Sequence, residues 1–545
     1  MSGSKRLSGA LLGLVGLVAI SSSQAAPVRT CEDLTRLSLP HTTILSAKAF
    51  PAGVQALKTL YYGSVTLGLP GRCQVEGVSR PSSDSEIRFE VWLPLTGWNG
   101  KYVQKGNGGF AGAVLPETLV DPLRRGYVTA TTDDGHDYTK TPDGTFAIGH
   151  PEKVIDFGYR AVHDTSRDAK ALAAAFYGRP VSRSYFVGCS DGGREALMEA
   201  QRFPEDFNGI IAGAPAYDWS HLMTSFAWNA LALNKDAAHR IPIDELPLIQ
   251  RAEIAACDGA DGLKDGLVSN PLACHFNPAV LQCKRRDGKD CLTQAQVDTL
   301  KALYSGPRNP RTGRIIFPGI PPSGTEALPE SWPEWLLKSG EDTQSNFALS
   351  YYRDVVLEHP GWQLQSMDFD RDVRISDQKA APIIAATDPD LRSFRDYGGK
   401  LLQFHGWGDA AIVATSSIQY YEAVRSFLRT YPDPRSPSNS VNDFYRLFMV
   451  PGMAHCSGGV GPVEFGNGPI FGVEPPASTD PERNIFDALV RWVEQGVAPD
   501  RLIGSGPSPR DPKKTMTRPL CPYPQQARYK GAGDIDSADS FVCAK

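Results

Sequence analysis

The sequence predicts an α/β protein: a mainly parallel sheet, helices on both of its faces, and one large insertion. Two observations predict it. Short β-rich runs alternate with helical patterns from about residue 85 to 215 and again from about 400 to 495, as in parallel strands joined by crossover helices. Between these regions, from about 216 to 395, the texture changes to Trp, Pro, Asp-Gly and clustered cysteines, and the alternation stops. This middle stretch reads as a separate inserted domain.

In chain order, the first region reads as strands over Glu86–Leu93, Lys101–Gln104 and Tyr127–Thr132 and a helix over Phe157–Tyr177. A strand over Ser184–Val187, a helix over 193–203 and a strand over Gly209–Ala212 complete it. The pattern resumes with a strand at Lys400–His405, a helix at Ser416–Leu428, a strand at Tyr445–Val450 and a helix at Asn484–Gln495.

Composition narrows the function classes. With 41% hydrophobic and 21% charged residues the 545-residue chain is ordinary globular material. A net charge of −5 leaves no basic stripe to neutralise a phosphate backbone, which excludes nucleic acid as the expected partner. Lys5-Arg6, the apolar stretch Leu11–Ile20 and the small residues of SSSQAA form the three regions of a secretory signal over 1–26. The apolar stretch is too short to span a bilayer, and no later one supplies about 20 apolar residues. A secreted or periplasmic protein is expected, without a membrane span and without an obligate protein partner.

Ten cysteines in an exported chain suggest five disulfides. Sequence order suggests local pairs: Cys257 with Cys274, Cys283 with Cys291, Cys521 with Cys543, and Cys31 with Cys73. Cys189 and Cys456 remain, as a bonded pair or as two buried thiols.

Gly188-Cys189-Ser190-Asp191-Gly192 matches G-x-S-x-G directly after a strand and before a helix. That is the setting of a nucleophile elbow, where glycines permit a sharp turn, the serine hydroxyl stands at the sheet end, and the next N–H, that of Asp191, faces a developing oxyanion. A serine nucleophile needs a base, and the base an orienting acid; in the α/β-hydrolase order they follow later strands as Asp or Glu, then His. "KLLQFHGWGDAAI" carries Asp409 just past one strand, and "YRLFMVPGMAHCSGG" carries His455 just past the next. His405, at the strand end, is the rival base and otherwise a pocket-lining residue. Cys189 precedes the serine and Cys456 follows the histidine, so a bond between them would tie nucleophile to base.

"YFVGCSDGGREALMEAQRFPEDFNGIIAGAPA", "HGWGDA", "VPGMAHCSGG" and "RPLCPYPQQARYKGAGDI" together resemble the tannase and feruloyl esterase family, which also contains mono(2-hydroxyethyl) terephthalate hydrolases. The resemblance covers nearly the whole mature chain. It implies an α/β-hydrolase core with a large inserted lid domain, divided as 27–215 with 396–545 for the core and 216–395 for the lid. It implies hydrolysis of aromatic-acid esters by Ser190, Asp409 and His455, with "WNGKYVQKGNGGFAG" supplying the second oxyanion donor at Gly109. It also implies a structural Ca²⁺ in the lid, held by Asp258, Asp261 and Asp265 with the carbonyls of Leu263 and Leu267; unaided, "CDGADGLKDGLVSN" reads as a solvated Asp-Gly loop. No organic cofactor is expected.

Substrate choice is less legible. Trp332, Trp335, Phe347, Tyr351 and Tyr352 either sandwich an aromatic acid or form plain core; Trp335, Phe347 and His405 are taken as substrate contacts. The terephthalate branch resembles a pocket with a lid arginine, and alignment puts Thr343 there, with Arg353 some way off. The expectation is therefore an esterase of the feruloyl or galloyl kind, with terephthalate hydrolysis as the alternative. A peptidase or acyltransferase using the same triad, and a non-catalytic binding protein on the same fold, are the readings from other classes.

Overall fold

The computed structural model describes Gly3 and residues 30–60, 63–284, 290–338, 343–433, 439–468 and 476–545. The expected signal peptide, Gly3 apart, lies outside the described residues.

Nine strands form one sheet: β1 Thr42–Phe50, β2 Arg72–Ser79, β3 Ile87–Pro94, β4 Lys101–Lys105, β5 Val128–Thr132, β6 Arg183–Cys189, β7 Gly209–Gly213, β8 Lys400–Gly406 and β9 Tyr445–Val450. Their spatial order is β1-β2-β3-β5-β4-β6-β7-β8-β9. The strands from β5 to β9 in this order are parallel, and β1, β2 and β3 are joined to β5 antiparallel. The antiparallel strands β1 and β2 are absent from the sequence reading. Much of β1 is exposed, so its residues lack the unbroken apolar run by which a central strand announces itself.

Successive residues of a strand face opposite sides, and here each side has its own core. Tyr102, Phe186, Ile210, Ala212 and Leu401 pack on one face with helices α1 (Ala161–Tyr177), α2 (Asp191–Arg202) and Thr415–Thr430. Their neighbours Val103, Tyr185, Ile211 and Leu402 pack on the other with the helix Ile485–Gln495. Burial on both faces makes β7, Gly-Ile-Ile-Ala-Gly, uniformly apolar.

Between β7 and β8 the described residues add helices and loops but no strand to this sheet. Helix α3 (Trp219–Leu233) packs with Thr343–Ser350 in a third core, which also takes in Phe110 and Phe146 before β6 and Ala410–Val413 after β8. That shared core ties the inserted residues to the C-terminal edge of the sheet. The disulfides are Cys31–Cys73, Cys189–Cys456, Cys257–Cys274, Cys283–Cys291 and Cys521–Cys543. Among the described residues no helix is long and apolar enough to cross a membrane.

Candidate active site

Ser190 joins β6 to α2 with φ 65° and ψ −122°, a left-handed conformation that costs a non-glycine residue energy and recurs at functional turns. Close packing enforces it. A Cβ at Gly188 would stand 2.2 Å from the carbonyl oxygen of Gly192, and one at Gly192 would stand 2.8 Å from that of Asn107. The Ser190 N–H donates to Gly213 of β7 at 3.0 Å, and its carbonyl accepts from Gly193, Arg194 and Ala216. Ser190 is thereby pinned with its side chain at the sheet edge. Asp191 is the first residue of α2, so its N–H has no partner within the helix and is available to an anion.

Asp409 and His455 follow β8 and β9 and reach the same edge. His455 Nε2 lies 2.9 Å from Ser190 Oγ, and Nδ1 lies 2.8 Å from Asp409 Oδ2. A carboxylate only accepts hydrogen bonds, so the proton between them resides on Nδ1 and leaves Nε2 to accept from the serine hydroxyl. Asp409 Oδ1 accepts the N–H groups of Ala411 and Ile412 at 2.9 and 2.8 Å. Burial pushes the Asp409 carboxyl up, but the rings of His455 and His405 outweigh that and hold it well below the usual carboxylate range. It stays ionised.

His405, expected as a pocket-lining residue, exposes no surface. It is fully buried, with Nδ1 at 2.6 Å from Ser417 Oγ and Nε2 at 2.9 Å from the Ile412 carbonyl and 3.2 Å from Asp409 Oδ2. It braces Asp409, and the cause is strand alternation: Phe404 and His405 must face opposite sides of a sheet buried on both.

Gly109 has φ 61° and is half-buried beside the ring of Phe347, which a Cβ on Gly109 would approach to 3.4 Å. Phe347 stacks on Phe110 with centroids 5.2 Å apart, and Trp335 meets His455 edge-to-face. These two inserted-segment aromatics thus flank Gly109 and His455. Trp332, Tyr351 and Tyr352 instead belong to the core, the tyrosine hydroxyls bonding Ser220, Ser376 and Thr224. Arg353 is paired with Asp354, and the Thr343 hydroxyl donates to the Glu334 carbonyl.

The loop from Asp258 to Leu267 folds around its own carboxylates. Asp258 accepts the N–H groups of Asp265 and Gly266, Asp261 that of Leu263, and Asp265 that of Leu267. Burial pushes the Asp258 and Asp261 carboxyls up, so positive charge nearby is favourable. Arg518 supplies some, 2.7 Å from Asp265. Three carboxylates and two carbonyls, with neither nitrogen nor sulfur, are the donor types that a hard divalent cation such as Ca²⁺ takes, but the carboxylate oxygens of the three aspartates do not all lie within 4.8 Å of one another.

Directly behind Ser190 lies a buried group that no sequence motif announces, Asp134, Arg194 and Glu195. Arg194 Nε bonds Asp191 at 2.5 Å, and its other nitrogens reach the carbonyls of Phe157, Gly158 and Ile384. Arg194 and Glu195 are buried like every residue from Asp191 to Ala200, so charge alone gives no sign of their placement.

Residues 73–544 match the family model described as tannase and feruloyl esterase. The chain belongs to this family. The esterase is 41% identical over 558 aligned residues to an uncharacterized esterase of Xanthomonas campestris pv. campestris, covering 99% of this chain and 95% of that protein. It is 34% identical to a mono(2-hydroxyethyl) terephthalate hydrolase of Piscinibacter sakaiensis, covering 87% of this chain and 85% of the other. Feruloyl esterase B from Aspergillus oryzae superposes with a TM-score of 0.83 at 30% identity, covering 94% of this chain and 99% of that one. The esterase accordingly has the α/β-hydrolase fold and is a carboxylic ester hydrolase.

Proposed function

We propose that the esterase hydrolyses esters of aromatic acids, of the feruloyl or galloyl kind, by acyl transfer to Ser190. The observation that carries this reading is the unbroken chain from Ser190 Oγ to His455 to Asp409, with links of 2.9 and 2.8 Å. His455 takes the serine proton as Oγ attacks the ester carbonyl, and Asp409 orients the ring and stabilises the imidazolium. The oxyanion is received by the N–H groups of Gly109 and Asp191, and the protonated His455 then donates to the departing alcohol. Water, deprotonated by His455, attacks the acyl-enzyme and releases the acid. Trp335 and Phe347 supply apolar faces for the aromatic acid, which also supports the choice of substrate class.

Residues 216–395 act in this reading as the lid over the core formed by 27–215 and 396–545. Asp258, Asp261 and Asp265 with the Leu263 and Leu267 carbonyls would hold Ca²⁺, which when bound fixes the lid loop and takes no part in the chemistry. The N-terminal signal pattern and five disulfides support export to the periplasm or the medium.

The test is hydrolysis of methyl ferulate, methyl gallate, mono(2-hydroxyethyl) terephthalate and a short aliphatic ester by wild type beside Ser190→Ala. Aromatic acid released by wild type alone supports the reading and ranks the acids. Equal turnover by the variant, or a preference for the aliphatic ester, overturns the nucleophile or the substrate class respectively.

A further inference from the structure

Asp134 follows β5, is fully buried, and takes the left-handed backbone at φ 56°. Neither of its carboxyl oxygens has a hydrogen-bond donor among the described residues. One oxygen each of Asp134, Asp191 and Glu195 lies within 4.8 Å of the others. Three carboxyl groups thus meet in a buried site, and the guanidinium beside them, Arg194, is committed to Asp191 at 2.5 Å. Ionised carboxylates can only accept, so Asp134 and Glu195 cannot face each other as two anions; a protonated carboxyl supplies the missing donor.

We infer that Asp134 and Glu195 share one proton and act as positioning residues that lock the oxyanion loop onto helix α2. This inference rests on the assignment of Gly109 and Asp191 as oxyanion donors. Glu195 Oε2 accepts the Asn107 N–H at 3.1 Å, and the Asn107 carbonyl accepts the Gly192 N–H at 2.9 Å, so Asn107 is clamped two residues before Gly109. On the far side of Gly109, Gly112 donates to the Asp133 carbonyl at 3.1 Å and accepts from Tyr138 at 2.7 Å. The Asp134–Glu195 contact therefore closes a ring: loop, segment 133–138, helix and back to the loop. Removing the proton would set two buried anions side by side and force that ring open.

The charged and titratable groups around the pair bear on its pH dependence. Asp191, Arg194 and Glu199 lie on α2, and Asp133, His136 and Asp137 lie on the Asp134 segment. Asp156, packed on Gly135 and paired with Arg160, and Lys153 approach from residues 151–160. Burial, then the facing Glu195 and Asp191 carboxyls, push Asp134 well above the ordinary carboxylate range, and Arg194 opposes them. Asp134 therefore holds a proton more tightly than an ordinary carboxyl does.

The test compares kcat and KM against pH for wild type, Asp134→Ala, Asp134→Asn and Glu195→Gln, with thermal unfolding and metal content alongside. Asp134→Ala, which removes the bridge, should lower kcat about 10- to 10²-fold with KM little changed, approaching loss of an oxyanion donor. Asp134→Asn places a permanent donor opposite Glu195. It should restore most of that kcat and move the alkaline fall in kcat upward by about one pH unit or more. Glu195→Gln should move the same limb, which decides the matter if an Asp134 variant does not fold. An alkaline limb unchanged in both conservative variants overturns the inference, as does a divalent metal present in wild type and lost in Asp134→Asn. Ser190→Ala in the same assay separates the two readings: if it remains active the nucleophile assignment has failed, whatever the Asp134 variants do.

Discussion

The indole of Trp335 meets the imidazole of His455 edge-to-face, with ring centroids 5.1 Å apart and planes at 78°. A side chain from the inserted segment thus touches His455 through ring contact alone. Trp335→Ala should raise KM for methyl ferulate by about 3- to 10-fold, the scale of one aromatic contact, and change KM for a short aliphatic ester far less. Equal effects on both substrates would show that the ring packs the site and does not read the acid.

Asp409 serves two imidazoles and two backbone N–H groups, and only an ionised carboxylate satisfies all four. Asp409→Asn presents an amide N–H to one of them and turns the His455 tautomer. Steady-state kcat should fall about 10³- to 10⁴-fold while the protein still folds, as judged by circular dichroism. A loss below 10-fold would mean that His455 is oriented by something else.

The Cys189–Cys456 bond spans 267 residues and joins the neighbours of Ser190 and His455, the proposed nucleophile and base, whereas Cys283–Cys291 spans 8 and lies far from them in sequence. Cys189→Ala/Cys456→Ala should lower both stability and kcat. The chain-entropy bound on stability is about 5 to 6 kcal/mol, reduced because other crosslinks already constrain the unfolded chain. Cys283→Ala/Cys291→Ala should leave kcat near wild type. Similar kcat losses in the two variants would deny the long bond a positional role.

His221, near the start of α3, bonds Asp218 at 2.9 Å and Asp377 at 3.0 Å. Burial opposes its charge, but these two partners prevail and lift the imidazolium to about 10. Because the folded value lies above the unfolded one of about 6.5, the stabilisation is complete below pH ~6.5 and is lost as pH rises toward 10. Urea unfolding should show His221→Gln destabilised at pH 6 and matching wild type near pH 10. A gap that does not close with pH would assign the effect to packing.

Calcium removal should lower the unfolding temperature while leaving kcat at 25 °C nearly unchanged. Re-addition of Ca²⁺ should restore it, and Mg²⁺, which demands a tighter octahedral shell, should not. Asp258→Ala should make the protein indifferent to both. No response of wild type to chelator would return the Asp258–Leu267 segment to an ordinary loop.

The central strands were legible because burial on both faces writes them as continuous apolar runs ended by glycine, as at β7. The elbow was legible because a sharp turn between strand and helix demands glycine within a few residues of the serine. β1 was not, since a partly exposed strand mixes Lys48 and Ser46 among its apolar positions. Nor was the meeting of Asp134 with Glu195: each reads as a surface charge, and only the pairing of β5 with β4 and of β4 with β6 brings them together. Aromatic identity alone also failed to separate the partly exposed Trp335 and Phe347, beside His455 and Gly109, from the buried Tyr351 and Tyr352.

His455 stands 265 residues after Ser190 in the chain, with the whole inserted segment between them. On the triad reading, a growing polypeptide carries a finished nucleophile long before it owns a base. Ester cleavage would then also report that synthesis has passed His455 and that the chain has closed on itself across the intervening 265 positions.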